Sequence, residues 1–222
     1  MIVVVLLSIL APLSIYIGLV LLNSAPLTFL FFYGGVCLVI PFIDLKLVRK
    51  YPINKVLQSL GFKYFKKSFS HALLLGLFYL IFIFLFFHAL EDDVLNINAV
   101  KATLAAWNFN REYVVLFLFI MIFANSILEE IYWRGYVFFR LQEKLDSRQV
   151  IVLTSLFYAS YHLITTINLF SVTVGLIFSM VIFGIGLFWG FLRQRYDSIY
   201  VPMISHLMAD LGIMLIYLKF IY

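Results

Sequence analysis

Glu129, Glu130, His162, His206 and Asp210 are the residues whose types and settings could do chemistry in this chain of 222 residues. Each lies in a stretch that is otherwise apolar. A carboxylate and a histidine facing a wet cavity can take a proton from water and turn it into a nucleophile. A second histidine with a hydrogen-bonding neighbour can stabilise the oxyanion of a tetrahedral intermediate. No serine elbow, no paired aspartates and no Cys–His couple accompanies them. The chemistry supported is therefore hydrolysis by activated water, with a peptide bond as the best-fitting target. Two histidines and a glutamate are also a plausible zinc set. His-Glu-x-x-His is absent, however, and no residue is assigned to a metal or other cofactor.

The spacings add to this reading. Glu130 and Arg134 stand at i,i+4, the favourable order for an ion pair on a helix. Glu129 is turned about 100° from Glu130, so the two carboxylates need not share a purpose. Tyr158 and His162 are i,i+4, as are His206 and Asp210, and each pair shares a helix face. An acid beside a histidine fixes its tautomer or favours its charged form. Blander roles compete with these. Glu130 and Arg134 could form a structural pair near the inner membrane interface, and His162 taken alone would be a packing histidine. His71 and His88 sit at the ends of one apolar run, and Tyr79, Trp133 and Trp189 read most simply as lipid-facing or interfacial.

The elements that must position these groups follow from composition. Hydrophobic residues make up 64% of the chain and charged residues 12%, against roughly 45–50% and about 25% in soluble domains. A soluble enzyme, a disordered chain and a nucleic-acid-binding domain are all disfavoured. The lone cysteine, Cys37, excludes an intramolecular disulfide framework. Apolar runs of the length that crosses a bilayer occur at about 2–22, 27–43, 70–90, 113–139, 150–167, 172–192 and 200–218. The expected fold is an all-α, polytopic membrane bundle of about seven transmembrane helices forming a single integral membrane domain over 1–222. The first run lacks the basic start and cleavage site of a signal peptide. Residues 53–69 add an amphipathic interfacial helix: Ile53, Val56, Leu57 and Leu60 share a face beside Lys55, Lys63, Lys66 and Lys67.

Basic residues orient the bundle. With the N-terminus cytoplasmic and the C-terminus outside, the inner loops take Lys46, Arg49, Lys50, Lys55, Lys63, Lys66, Lys67, Arg134, Arg140, Lys144, Arg148, Arg193 and Arg195. Lys101, Arg111 and Lys219 remain outside, where Glu91, Asp92, Asp93 and Glu112 make one loop acidic. At 1.5 Å per residue, Glu129 then lies about 15 Å from the inner end of its helix, His162 about 18 Å, His206 roughly 9 Å and Asp210 roughly 15 Å. Four ionisable residues on three helices thus meet in one layer, where such groups are costly and by default functional.

These residues fall in three ordered motifs. Glu129-Glu130-Ile-Tyr-Trp-Arg134 resembles the Glu-Glu-x-x-x-Arg motif of the CPBP family, the CAAX proteases and bacteriocin-processing enzymes also called the Abi family. Tyr158-Ala-Ser-Tyr-His162 is similar to its Phe-x-x-x-His motif, and His206-Leu-Met-Ala-Asp210 to its His-x-x-x-Asn/Asp motif. The resemblance covers about 113–218, the expected catalytic core. It implies a glutamic-type intramembrane endopeptidase, an activity that in eukaryotic relatives removes the last three residues from prenylated CAAX proteins. It further implies that Glu129 and His162 activate the water, that Glu130 and Arg134 shape the site, and that His206 and Asp210 form the oxyanion pocket. Two positions depart from the pattern. Tyr158 replaces phenylalanine, and Asp210 stands where many members carry asparagine, so Asp210 is either protonated or orients His206 while His206 donates.

The leading expectation is an intramembrane protease of a bacterial or archaeal inner membrane. Its partners would be the lipid bilayer and a membrane-associated protein or peptide substrate, with no nucleic acid. A non-catalytic membrane binder such as a bacteriocin immunity protein, and a proton-coupled transporter, are the competing classes. The transporter lacks the paired half-helices or inverted repeats such folds carry.

Overall fold

A computed structural model describes residues 2–63, 69–90, 95–109 and 111–222, all of whose regular structure is helical. Lys66, Lys67, Glu91, Asp92 and Asp93 lie outside the described residues. Helix α1 covers Ile2–Ile15 and winds on through Tyr16–Leu21. It is followed by α2 (Ala25–Val48), α3 (Ile53–Ser59), α4 (Phe69–His88) and α5 (Ile97–Ala106). The carboxyl-terminal half holds α6 (Val114–Gln142), α7 (Ser147–Leu169), α8 (Val172–Tyr196) and α9 (Tyr200–Ile221).

Among the described residues, six of these helices are long and apolar enough to cross a membrane. The first of the seven expected spans is the exception. Its described apolar stretch, Ser8–Leu21, is shorter, although the helical backbone from Ile2 reaches about 30 Å. The protein is a multi-pass, all-α membrane bundle, because only helices satisfy their own backbone groups in lipid. Local signals set the helix ends. Asp146 and Gln149 form a capping box at the start of α7, Ser171 caps α8, Asn96 caps α5, and Ser24 with Pro26 opens α2.

The helix α7–α8 hairpin packs closely, and α9 lies along α4, while α1 rests on α7 and α6 on α9. Small residues permit the approach: a Cβ on Gly175 would come within 2.8 Å of the Ile167 backbone. The connections fall at two ends. At one, the Ala25 N–H donates to Trp107 O at 2.9 Å and Asn108 Nδ2 to Asn23 O at 3.3 Å. At the other, Arg49 donates to both Glu143 oxygens at 2.5 and 2.9 Å, Arg140 Nη1 to Asp44 at 2.5 Å, and Lys63 pairs with Asp197. Sequential loops alternate between these ends, as successive crossings require.

Three expectations are corrected. Arg134 and Arg193 are not in inner loops: Arg134 is 1% exposed and Arg193 4%. Hydrogen-bond acceptors inside the bundle draw both guanidinium groups inward. Tyr79, Trp133 and Trp189 are buried, not lipid-facing: Trp189 lies against Arg134 and His206, and Tyr79 and Trp133 pack on the rings of Trp189 and Tyr161. The interfacial helix is shorter than expected, and its predicted face divides. Val56 and Leu60 are buried against the bundle, whereas Ile53 and Leu57 are exposed. Helix α5 had no sequence signal strong enough to separate it from a loop.

Candidate functional site

The site is built around α6. One residue per 100° of helix turn sends Glu129 and Glu130 to different neighbours. Glu130 is fully buried, and its Oε1 accepts from Arg134 Nη1 at 2.9 Å. The same oxygen lies 3.1 Å from His206 Nδ1 on α9. Arg134 also donates to Gly186 O at 3.3 Å, and its guanidinium lies 4.4 Å from the Tyr158 ring centroid and 5.2 Å from that of Trp189. Such cation–π contacts are strongest when desolvated. His206 stacks on Trp189 with ring centroids 4.2 Å apart. Arg134 belongs to a π-helical stretch, Ile131–Val137, a widened winding that recurs at functional sites. Arg193 Nε donates to the Arg134 carbonyl at 2.9 Å, anchoring this stretch to α8.

Glu129, 2% exposed, faces the other edge of His206: its Oε2 lies 3.9 Å from His206 Nε2. Asp210 Oδ2 lies 3.6 Å from the same nitrogen. Asp210 in turn accepts from Asn125 Nδ2 at 2.9 Å, and Asn125 Oδ1 accepts from the Tyr33 hydroxyl at 2.6 Å. A chain of hydrogen bonds therefore runs from α2 through α6 to α9. His162 Nδ1 donates to the carbonyl of Tyr158 at 2.9 Å, leaving Nε2 as an acceptor when the ring is neutral.

The structure thus brings together Glu129, Glu130, Arg134, His206 and Asp210 by direct polar contact, with Tyr158 against Arg134. His162 joins them through rings, 4.6 Å from Tyr158 and 4.2 Å from Tyr161. Among the described residues, no ion pair within 4 Å links His162 to Glu129. The carboxylate's histidine neighbour is His206. Asn125, Tyr33, Tyr161 and Trp189 are members that sequence reasoning missed. Asn125 had a signal, since it lies four residues before Glu129 and shares its helix face. Tyr33 had none, being apolar in context and distant in sequence. Among the described residues, no group of three or more His, Cys, Asp and Glu side chains has the arrangement of a metal site.

With the geometry in place, comparison with known proteins is informative. The family model for Type II CAAX prenyl endopeptidase Rce1-like matches residues 110–212. No curated protein and no solved structure matches the chain. The matched stretch covers α6 to most of α9 and all three motifs, and over it the chain is similar to the CAAX-type intramembrane proteases of the CPBP family.

Proposed function

We propose that the protein is an intramembrane endopeptidase that hydrolyses a peptide bond of a membrane-associated protein or peptide with water activated at Glu129. The observation that carries this is the unequal commitment of the two adjacent carboxylates. Glu130 is spent on Arg134 and His206. Those bonds use Glu130 Oε1 alone, and Glu130 Oε2 and Glu129 Oε2 are both buried with no hydrogen-bond partner among the described residues. It is Glu129 Oε2, however, that lies 3.9 Å from the open edge of His206, at Nε2. A water about 2.8 Å from both Glu129 Oε2 and His206 Nε2 would see them at roughly 90°, a workable angle for donating to each.

In this mechanism Glu129 takes a proton as the water oxygen bonds to the scissile carbonyl carbon, and the carbonyl π pair moves to oxygen. When that pair returns, the C–N bond breaks and Glu129 passes its proton to the departing nitrogen. His206, with its Nδ1 proton held by Glu130, presents Nε2 to the water. Asp210, held by the Asn125 amide, bounds the site beside His206 Nε2 as a further acceptor for the water. His162 presents Nε2 to the substrate from the far side of Tyr158. Glu130, Arg134 and Tyr158 hold these groups in place.

The chain works as one membrane domain over 1–222, in a bacterial or archaeal inner membrane. The charged, ion-paired end faces the cytoplasm, which puts the N-terminus inside, the C-terminus outside and cleavage near the cytoplasmic face. The test is Glu129→Gln, which keeps the side chain's shape. General-base catalysis supplies about 10²–10⁴-fold, so cleavage should fall by at least the lower figure, and undiminished cleavage overturns the proposal.

A further inference from the structure

The titratable groups gathered around Glu129 and Tyr158 are mostly acceptors. Glu129 and Asp210 offer carboxylate oxygens. His162 and His206, each holding its proton on Nδ1 against an acceptor, offer Nε2 lone pairs. An oxyanion formed there needs a donor, and such donors stabilise it best when preorganised in a dry site. Asn125 has already given one N–H to Asp210.

Trp133 Nε1, Arg134 Nε, Trp189 Nε1 and the Tyr161 hydroxyl are buried donors without a partner among the described residues, and of these the Tyr161 hydroxyl is the one set beside the Glu129 carboxylate. Tyr161 is 3% exposed. The Glu129 carboxylate is its hydrogen-bonding neighbour, although no bond of ordinary length and angle closes between the hydroxyl and Glu129 Oε2. Buried donors and acceptors in native folds are nearly always paired. A donor and an acceptor that face each other without closing a bond form a place for a third group carrying both functions. The ring is fixed on several sides. It lies parallel to Trp133 at 6.0 Å between centroids, with Phe32 at 4.9 Å, Tyr158 at 5.6 Å and His162 at 4.2 Å. A hydroxyl on so constrained a ring needs no reorganisation to act.

We propose that Tyr161 is a further catalytic residue, whose hydroxyl donates to the scissile carbonyl oxygen as it becomes the oxyanion. This inference rests on the protease reading above. No proton leaves the phenol: the hydrogen bond shortens as the carbonyl π pair moves to oxygen, and relaxes when the C–N bond breaks.

The test uses membrane vesicles from cells holding equal amounts of each variant, and reads the rate at which new protein termini appear. Tyr161→Phe keeps the ring and its packing. It should lower the turnover rate about 10²–10³-fold, the usual effect of losing one such donor, with little change in KM and an unchanged unfolding temperature in detergent. Tyr136→Phe, which also removes a buried hydroxyl but lies outside the cluster, should stay within about twofold of wild type. Full activity in Tyr161→Phe while Glu129→Gln is inactive overturns this inference alone. A loss matched by a lower unfolding temperature also overturns it, in favour of packing. Termini that do not depend on Glu129 overturn the protease reading, and this inference with it.

Discussion

Glu130 and His206, 76 residues apart in sequence, share a hydrogen bond of 3.1 Å in the middle of the bundle. It lands on the same carboxylate oxygen that Arg134 contacts at 2.9 Å. Glu130 is therefore a hub joining α6 to α9, and it leaves Glu129 to the other edge of His206.

Breaking the hub should unfold the protein before it affects chemistry. Arg134→Ala would leave Glu130 buried without its counter-charge, a change that costs about 3–5 kcal/mol in comparable sites. It would also remove the contacts with Tyr158, Trp189 and Gly186. The expected result is a large drop in unfolding temperature in detergent. A variant that unfolds like wild type would show that Glu130 is neutral or otherwise paired.

Asn125 should matter through Asp210. Asn125→Leu leaves a buried acceptor on Asp210 and a hydroxyl on Tyr33 unpaired, each worth about 1–3 kcal/mol. Turnover should fall at least tenfold while the protein stays folded. Asn125→Asp sets two carboxylates against each other and should be worse. Exchanging the pair, Asn125→Asp with Asp210→Asn, restores one donor facing one acceptor and should recover much of the loss. Failure of the exchange to rescue would show that Asp210 acts through its charge.

Gly61 tests the link between the interfacial segment and the site. Its φ of +84° is one that side chains rarely adopt, and a Cβ there would lie 2.8 Å from Arg193 Nε. That nitrogen holds the Arg134 carbonyl. Gly61→Ala should destabilise the fold by about 1–3 kcal/mol and slow cleavage, measured by thermal unfolding and turnover together. Equal loss of stability without any change in turnover would uncouple the interfacial segment from the site.

Acid should loosen the charged end. The hydrogen bonds from Arg49 hold the Glu143 carboxyl below the usual carboxylate range, against a smaller opposing effect of partial burial. A depressed folded-state pKa adds stability that is present above the unfolded value near about 4.3 and is lost as pH falls through the lower folded value. Glu143→Gln should therefore be less stable than wild type at neutral pH, and the two unfolding temperatures should converge as pH falls through the lowered folded-state value. A constant difference across that range would show that the carboxylate's charge is not involved.

Much of this was legible in the chain itself. Apolar runs gave the spans because lipid leaves the backbone few options, and i,i+4 spacing placed Glu130 with Arg134 and His206 with Asp210 on shared faces. Depth arithmetic brought Glu129 and Asp210 to one layer, where both now flank His206. Hydropathy failed for Arg134 and Arg193, because a basic residue near a span end looks the same whether it reaches for headgroups or for a carbonyl within the bundle. It failed for Trp189, which lies against the Arg134 guanidinium, and for Trp133, which stacks on Tyr161, because an aromatic ring facing lipid and one facing the bundle interior have the same composition. The pairing of Glu129 with His206 rather than His162 depends on how α7 and α9 rotate about their own axes, which side-chain packing decides.

The most direct measurement of the central claim compares protein termini, by mass spectrometry, in membranes of cells expressing wild type or Glu129→Gln at equal levels. The account predicts a set of new termini in membrane-associated proteins that appears with wild type and disappears with Glu129→Gln, although the variant stays folded. Identical termini from both folded proteins would contradict it, and would leave the cluster to a binding role.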